Sequence, residues 1–183
     1  MDIQKIISLV TKTQGLIKNR EMAAHVKEKG LADYVTQVDI AVQNFLKKEL
    51  FALAPDIQFL GEETGLQEIK ADSFWILDPV DGTTNLMHDY QHSVVSLALC
   101  RQGDIIMGII YDPFRDEVFS AIKGKGSFLN GQPIHVSNAE KLSDTMIGLE
   151  TAKRELADEN FARFRRGAVS ARMYAGLSLP LWN

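Results

Sequence analysis

The sequence predicts an α/β layered sandwich in which helices pack on a mainly antiparallel sheet. Three observations predict it. Two stretches with helical spacing of apolar residues come before the first strand-like run. Two short apolar runs, residues 57–60 and 74–77, then each end on acidic residues, as buried strands do when their C-terminal ends carry chemistry. Finally, residues 94–100, 105–111 and 118–121 are apolar runs separated by turn-forming residues, which is the pattern of an antiparallel meander.

The first helix is predicted from Ile3, Ile6, Ile7 and Val10, continued by Leu16 and Ile17, which form one apolar stripe. Its polar face is not strongly basic, so the stripe reads as packing on the body and not as a membrane-surface helix. The second helix covers residues 36–53, with Val38, Ala41, Val42, Phe45, Leu46 and Leu50 on one face and Pro55 just past its end. Thr36 and Asp39 have the Thr-x-x-Asp spacing of a capping box at its start. Residues 27–33 contain Gly30 and read as a loop, Asn130-Gly131 as a tight hairpin turn, residues 146–149 as a strand and residues 152–165 as a charged helix.

Composition narrows the function classes. With 183 residues, 45% hydrophobic and 24% charged, the chain is long enough to bury a core. A net charge of −4, with basic residues scattered apart from Arg163, Arg165 and Arg166, argues against nucleic acid as the main partner. Cys100 is the one cysteine and follows an apolar run, so no intrachain disulfide is possible and a reducing cytoplasm is expected. Neither a leader with a basic region and apolar core nor an apolar stretch of membrane-spanning length is seen, so no membrane role is expected.

The chemistry is concentrated between Gly61 and Asn85. Glu62 and Glu63 follow one strand, and Asp78 and Asp81 follow the next. Were the two strands neighbours, these carboxylates would converge and repel each other unless a cation stood between them. Oxygen ligands without histidine or cysteine suit Mg²⁺, Mn²⁺ or Ca²⁺ better than zinc, and Mg²⁺ commonly takes substrate phosphate as a further ligand. Gly82 lets backbone N–H groups approach an anion closely, and a helical turn opened by Thr83 and Thr84 would favour phosphate at its start. An ordinary turn also uses Asp81-Gly82, so that pair alone decides nothing. An EF-hand is disfavoured because residues 78–89 lack its alternating ligands and terminal glutamate.

The full string Asp78-Pro79-Val80-Asp81-Gly82-Thr83-Thr84-Asn85 resembles the signature of the inositol monophosphatase family, and Gly61-Glu62-Glu63-Thr64 resembles that family's first metal motif. Val35-Thr36-Gln37-Val38-Asp39 and Gly124-Lys125-Gly126-Ser127-Phe128-Leu129-Asn130-Gly131 match in the right order before and after. The resemblance covers roughly residues 1–150 and implies a Mg²⁺-dependent, lithium-sensitive phosphomonoesterase of small phosphorylated alcohols such as inositol monophosphate, homodimeric when complete. It implies that Glu62, Asp78 and the Val80 carbonyl bind a first metal, and that Asp78 and Asp81 bind a second, with Glu63 accessory. Gly82, Thr83 and Thr84 would hold phosphate, and Thr83, oriented by Asp39, would place the attacking water together with Glu62. Thr36 would support that group or only cap the helix. Lys29 would belong to a loop that closes over the site.

The haloacid dehalogenase type of phosphatase is the runner-up, but its acidic pair stands two apart, whereas Asp78 and Asp81 are three apart. The family's second half supplies a Trp-Asp motif, whereas here Trp182 is followed by Asn183. The expected organisation is therefore a metal- and phosphate-binding lobe over residues 1–150 and the start of a truncated second lobe over 151–183. A weakly active or purely binding member of the family is the alternative function, as is a sugar-phosphate or adenosine bisphosphate phosphatase.

Overall fold

A computed structural model of the chain describes residues 2–30, 33–64, 68–141, 146–149 and 170–173. In order the elements are α1 (Ile3–Thr11), α2 (Gln14–Ile17), α3 (Arg20–Ala24), β1 (Val26–Gly30), β2 (Asp33–Thr36), α4 (Gln37–Leu53), β3 (Gln58–Gly61), a 3₁₀ turn (Glu62–Thr64), β4 (Ser73–Asp81), α5 (Thr83–Met87), β5 (Val94–Arg101), β6 (Asp104–Asp112), β7 (Glu117–Ile122), β8 (Gly126–Leu129), β9 (Gln132–Ile134), β10 (Met146–Leu149) and β11 (Ser170–Met173). Contacts divide the chain into two units, Met1–Ile134 and His135–Asn183.

In the first unit, seven strands form one sheet in the order β3-β4-β5-β6-β7-β8-β9. Only β3 and β4 run parallel, and the rest is the expected meander. The turns are made as the sequence predicts: Asn130 and Gly131 both take positive φ (48° and 79°), the two-residue hairpin geometry that follows the sheet's own twist. Alternate residues of the central strands, among them Trp75, Leu77, Val95, Leu97, Leu99, Ile109 and Tyr111, are buried in a core with Ile6 and Val10 of α1 and Val38, Val42, Leu46 and Leu50 of α4. The mixed layering and mainly antiparallel sheet match the predicted fold class.

In the second unit, β10 pairs in parallel with β11, so the predicted strand at 146–149 is present. The predicted helix at 152–165, the boundary at 150/151 and Trp182 lie outside the described residues.

Two details differ from the sequence reading. Of residues 27–33, read as a loop, 27–30 lie in β1 and 33 begins β2, which pair antiparallel with Lys27 opposite Val35 and Glu28 opposite Tyr34. Polar residues of β1 carry no apolar alternation of their own, so the strand is specified by its partner β2. The second difference is length. The strand predicted to stop at Leu77 continues as β4 to Asp81, through Pro79. Asp78 pairs with Ser96 but Asp81 with Val94, so three steps on β4 oppose two on β5 and the ladder carries a bulge. A bulge is one of the few places where a strand interior accepts a proline, which has no N–H to give. Among the described residues no helix is long and apolar enough to cross a membrane.

Candidate metal and phosphate site

The bulge in β4 decides where its two aspartates point. Residues three apart on a regular strand face opposite sides of the sheet. One extra residue restores the phase: Pro79 and Val80 are buried in succession, and Asp78 and Asp81 are both partly exposed. The parallel pairing of Gly61 with Leu77 then sets the next residue of each chain segment, Glu62 and Asp78, side by side at the same end of the sheet.

The consequence is electrostatic. Burial pushes the Asp78 carboxyl up to about 8, and the charges of Glu62 and Asp81 and a hydrogen bond with Glu62 push in the same direction, against the Val80 N–H that donates to Asp78 Oδ1 at 3.1 Å. Near neutral pH, then, a proton joins Glu62 and Asp78. Among the described residues no three Asp, Glu, His or Cys side chains stand in ready-made positions for a metal. The donor set nevertheless suits a hard divalent cation: it is all oxygen, and a cation would relieve the repulsion that Glu62 and Asp81 exert on Asp78.

The neighbouring turn is held by a different kind of interaction. Gly82 sits in the left-handed region at φ 91°, ψ 41° and begins α5. The Thr83 hydroxyl lies 3.0 Å from both Asp39 Oδ1 and the Val80 carbonyl oxygen, and can give its one hydrogen to either. Asp39 is 1% exposed. Its Oδ2 accepts from the Thr36 backbone N–H at 2.8 Å and from the Thr36 hydroxyl at 2.5 Å, while Thr36 Oγ1 accepts from the Val38 N–H at 3.2 Å. The capping box read from the sequence is therefore real, and the same carboxylate also reaches Thr83. Burial raises the Asp39 carboxyl above its ordinary value, opposed by hydrogen bonds from Thr36 and Thr83 that favour the ionised form.

Sequence reasoning missed one residue that shapes this region. Gln43, one helical turn after Asp39 on α4, is 4% exposed and its Oε1 accepts from the Glu63 N–H at 3.1 Å. The Thr64 hydroxyl adds a bond to the Gly61 carbonyl at 2.6 Å. Gly61 is needed because Gln43 passes where a side chain would go: an added Cβ would stand 2.1 Å from Gln43 Oε1 and 2.9 Å from Phe59 Cε1. The only signal in the sequence is that Gln43 lies four residues from Asp39, on the same helix face. Glu62 and Thr84 are exposed, and Asp81, Gly82 and Thr83 are partly so. Lys29 lies in β1, and its side chain is not among the described parts.

Two outcomes follow. Gly61→Ala should cost about 1–3 kcal/mol, because it evicts the Gln43 amide and leaves the Glu63 N–H without its acceptor. In a Gln43→Ala background the same change should cost less, and denaturant unfolding of the four proteins in the cycle would expose additive costs if the clash were absent. The second outcome concerns pH. Asp78 keeps its proton in the folded state up to about 8, whereas the unfolded chain releases it near 3.8. Stability of the metal-free protein should accordingly fall as pH rises across that window, by at least about 1 kcal/mol. Asp78→Asn should flatten the profile, and parallel profiles for the two proteins would contradict the assignment.

Comparison with known proteins identifies the family and the fold. The model of the Inositol monophosphatase family matches residues 2–179. The Inositol-1-monophosphatase of Rhizobium meliloti is 42% identical over 129 residues, which are 69% of this chain and 48% of that protein. Among solved structures, the extragenic suppressor protein suhB from Bartonella henselae superposes with a TM-score of 0.85 at 29% identity, covering 95% of this chain and 70% of that one. An IMPase/NADP phosphatase complexed with Mg²⁺ and phosphate superposes with a TM-score of 0.80 at 26% identity, covering 93% and 66%. The chain spans about half the length of the curated relatives it matches. On the family match, the four ordered motifs and the shared fold, this chain belongs to the inositol monophosphatase family.

Proposed function

We propose that the chain carries the metal- and phosphate-binding half of a Mg²⁺-dependent phosphomonoesterase acting on small phosphorylated alcohols, inositol monophosphate among them. The observation that carries this reading is the convergence of Glu62, Asp78 and Asp81 at one end of the β3–β4 pair, immediately before the Gly82 turn. Family membership and a relative solved with Mg²⁺ and phosphate support it.

Glu62, Asp78 and the Val80 carbonyl would hold one Mg²⁺, and Asp78 with Asp81 a second. When bound, the ions supply charge neutralisation, polarisation of phosphate oxygens and a lower pKa for water. The chain's own groups do the positioning. Gly82 and Thr83 offer backbone N–H groups to phosphate, and Thr84 is exposed at the same turn. With the Thr83 hydrogen given to Asp39, its oxygen would be left to accept one from a water and to aim that water at phosphorus. Thr36 supports Asp39 through two hydrogen bonds and so acts on the reaction only through it. Lithium sensitivity and a homodimeric complete protein in the cytoplasm belong to the same reading.

The test is calorimetric titration of phosphate with and without Mg²⁺, together with phosphate release from a panel of phosphomonoesters. Asp78→Asn and Asp81→Asn should each abolish the Mg²⁺-dependent part of phosphate binding. Thr83→Ala should slow release by roughly a hundredfold or more. Asp39→Asn should slow it similarly and also lower stability by about 0.5–2 kcal/mol, since it disturbs the helix cap. The Thr83 and Asp39 changes should be far from additive in rate. Phosphate binding indifferent to Mg²⁺, or release that survives thorough chelation, would overturn the reading.

A further inference from the structure

Ser93 stands just before β5 and is 0% exposed. Its hydroxyl donates to the Gly82 carbonyl at 2.8 Å. The same carbonyl also accepts from the Leu86 N–H at 3.1 Å, the first bond of α5. A hydroxyl this deeply buried would cost stability without a partner, so the bond fixes the side chain as well as the carbonyl.

The peptide plane links this bond to the site. The carbonyl of Gly82 and the N–H of Thr83 belong to one rigid, planar trans unit and point in opposite directions. Gly82 has no Cβ and takes φ 91°, so the residue itself does little to fix how that plane is turned. Two donors on the carbonyl, from Ser93 and Leu86, fix it instead. Whatever locks the carbonyl aims the Thr83 N–H at the opposite side, where the proposed reading puts phosphate. Asn85 braces the same loop, its Nδ2 donating to the His92 carbonyl at 2.8 Å. The segment that leads into β5 is thereby tied at successive residues, His92 to α5 and Ser93 to the Gly82 cap that precedes it.

We propose that Ser93 is a positioning residue for anion binding: it sets the orientation of the Gly82–Thr83 peptide and so pre-aims the Thr83 N–H at a phosphate oxygen. Its phosphate half rests on the function proposed above, while the orientation of the peptide does not. Ser93 does not touch the substrate. Pre-aimed donors bind anions more tightly because no free energy goes into ordering them on binding.

The experiment follows the backbone amide resonances of the full chain by NMR while inorganic phosphate is added in the presence of Mg²⁺, for the wild type, Ser93→Ala and Leu97→Ala. Leu97 is buried in β5, the strand that Ser93 leads into, and pairs with Leu77, so it controls for general loosening. Ser93→Ala should shift the Thr83 amide before any phosphate is added and increase its hydrogen exchange. It should also weaken phosphate binding roughly three- to tenfold, the scale of one hydrogen bond. Leu97→Ala should lower the melting temperature but leave the Thr83 resonance in place. Thermal melts of each protein separate folding from orientation, and Ser93→Cys, a near-isostere with a weak donor, should fall between Ser and Ala. A Thr83 amide that stays in place in Ser93→Ala, or that shifts as much in Leu97→Ala, overturns the proposal. A wild-type Thr83 amide that moves under neither phosphate nor Mg²⁺ would overturn the phosphate half, and the Ser93→Ala shift then judges the strut alone.

Discussion

The site depends on one buried carboxylate with two jobs. Asp39 offers Oδ2 to the backbone and hydroxyl of Thr36, which starts α4, and Oδ1 to the hydroxyl of Thr83 across 44 residues of sequence. A helix cap is a local device, usually worth about 1 kcal/mol. Here it also fixes the start of the helix against the turn that follows β4. One helical turn further, about 6 Å along the axis, Gln43 does the same for the turn that follows β3. Two buried polar residues one turn apart on α4 thus clamp the ends of two neighbouring strands. Because both are buried, breaking either leaves a polar group without water, which makes the clamp stiff as well as specific.

The bulge in β4 matters as much as the clamp. Without it, Asp78 and Asp81 would lie on opposite sides of the sheet and no cation could engage both. With it, the strand turns its acids to one side at the cost of mutual repulsion, which Asp78 relieves by holding a proton. The parallel pairing of β3 with β4 supplies the third acid, since parallel strands bring equivalent ends together. An antiparallel neighbour in that position would have carried Glu62 to the far end of the sheet. One parallel pair in a mainly antiparallel sheet is what gathers the acids.

Much of this could be read in the residues. Apolar alternation and turn residues marked β5, β6 and β7, and Asn130-Gly131 marked a hairpin, because those signals are local. The acidic motifs and their order pointed to the site for the same reason. What could not be read depends on pairings distant in sequence. The hairpin of β1 and β2 has no apolar pattern in its first arm. The bulge follows from the register of β4 on β5, which no single strand encodes. Gln43 looked like a polar position on a helix, and Ser93 like the start of a strand. Capping and functional readings of Asp39 competed on the sequence because a spacing gives one role to a residue, whereas a carboxylate has two oxygens and can serve both.

The two halves of the site are built on different physical terms, and the difference suggests how it works. The anion half is fully constrained by the protein: the Gly82 carbonyl has two donors, Thr83 has two acceptors within reach, and Asp39 has three hydrogen bonds. Its geometry needs no ligand. The acidic half is held by a proton and by backbone placement, and its charges favour separation until something positive arrives. On the proposed function, a preformed donor turn beside a repulsive acidic cluster would set a definite order of affinities. Phosphate alone meets carboxylates of its own sign, and a cation alone must displace a proton. Together each removes the obstacle to the other, because the cation cancels the repulsion that phosphate meets while phosphate adds oxygen ligands that the three acids cannot complete. On the proposed function, cooperative capture of cation and phosphate would follow from a rigid turn and a repulsive acidic cluster at one end of two parallel strands.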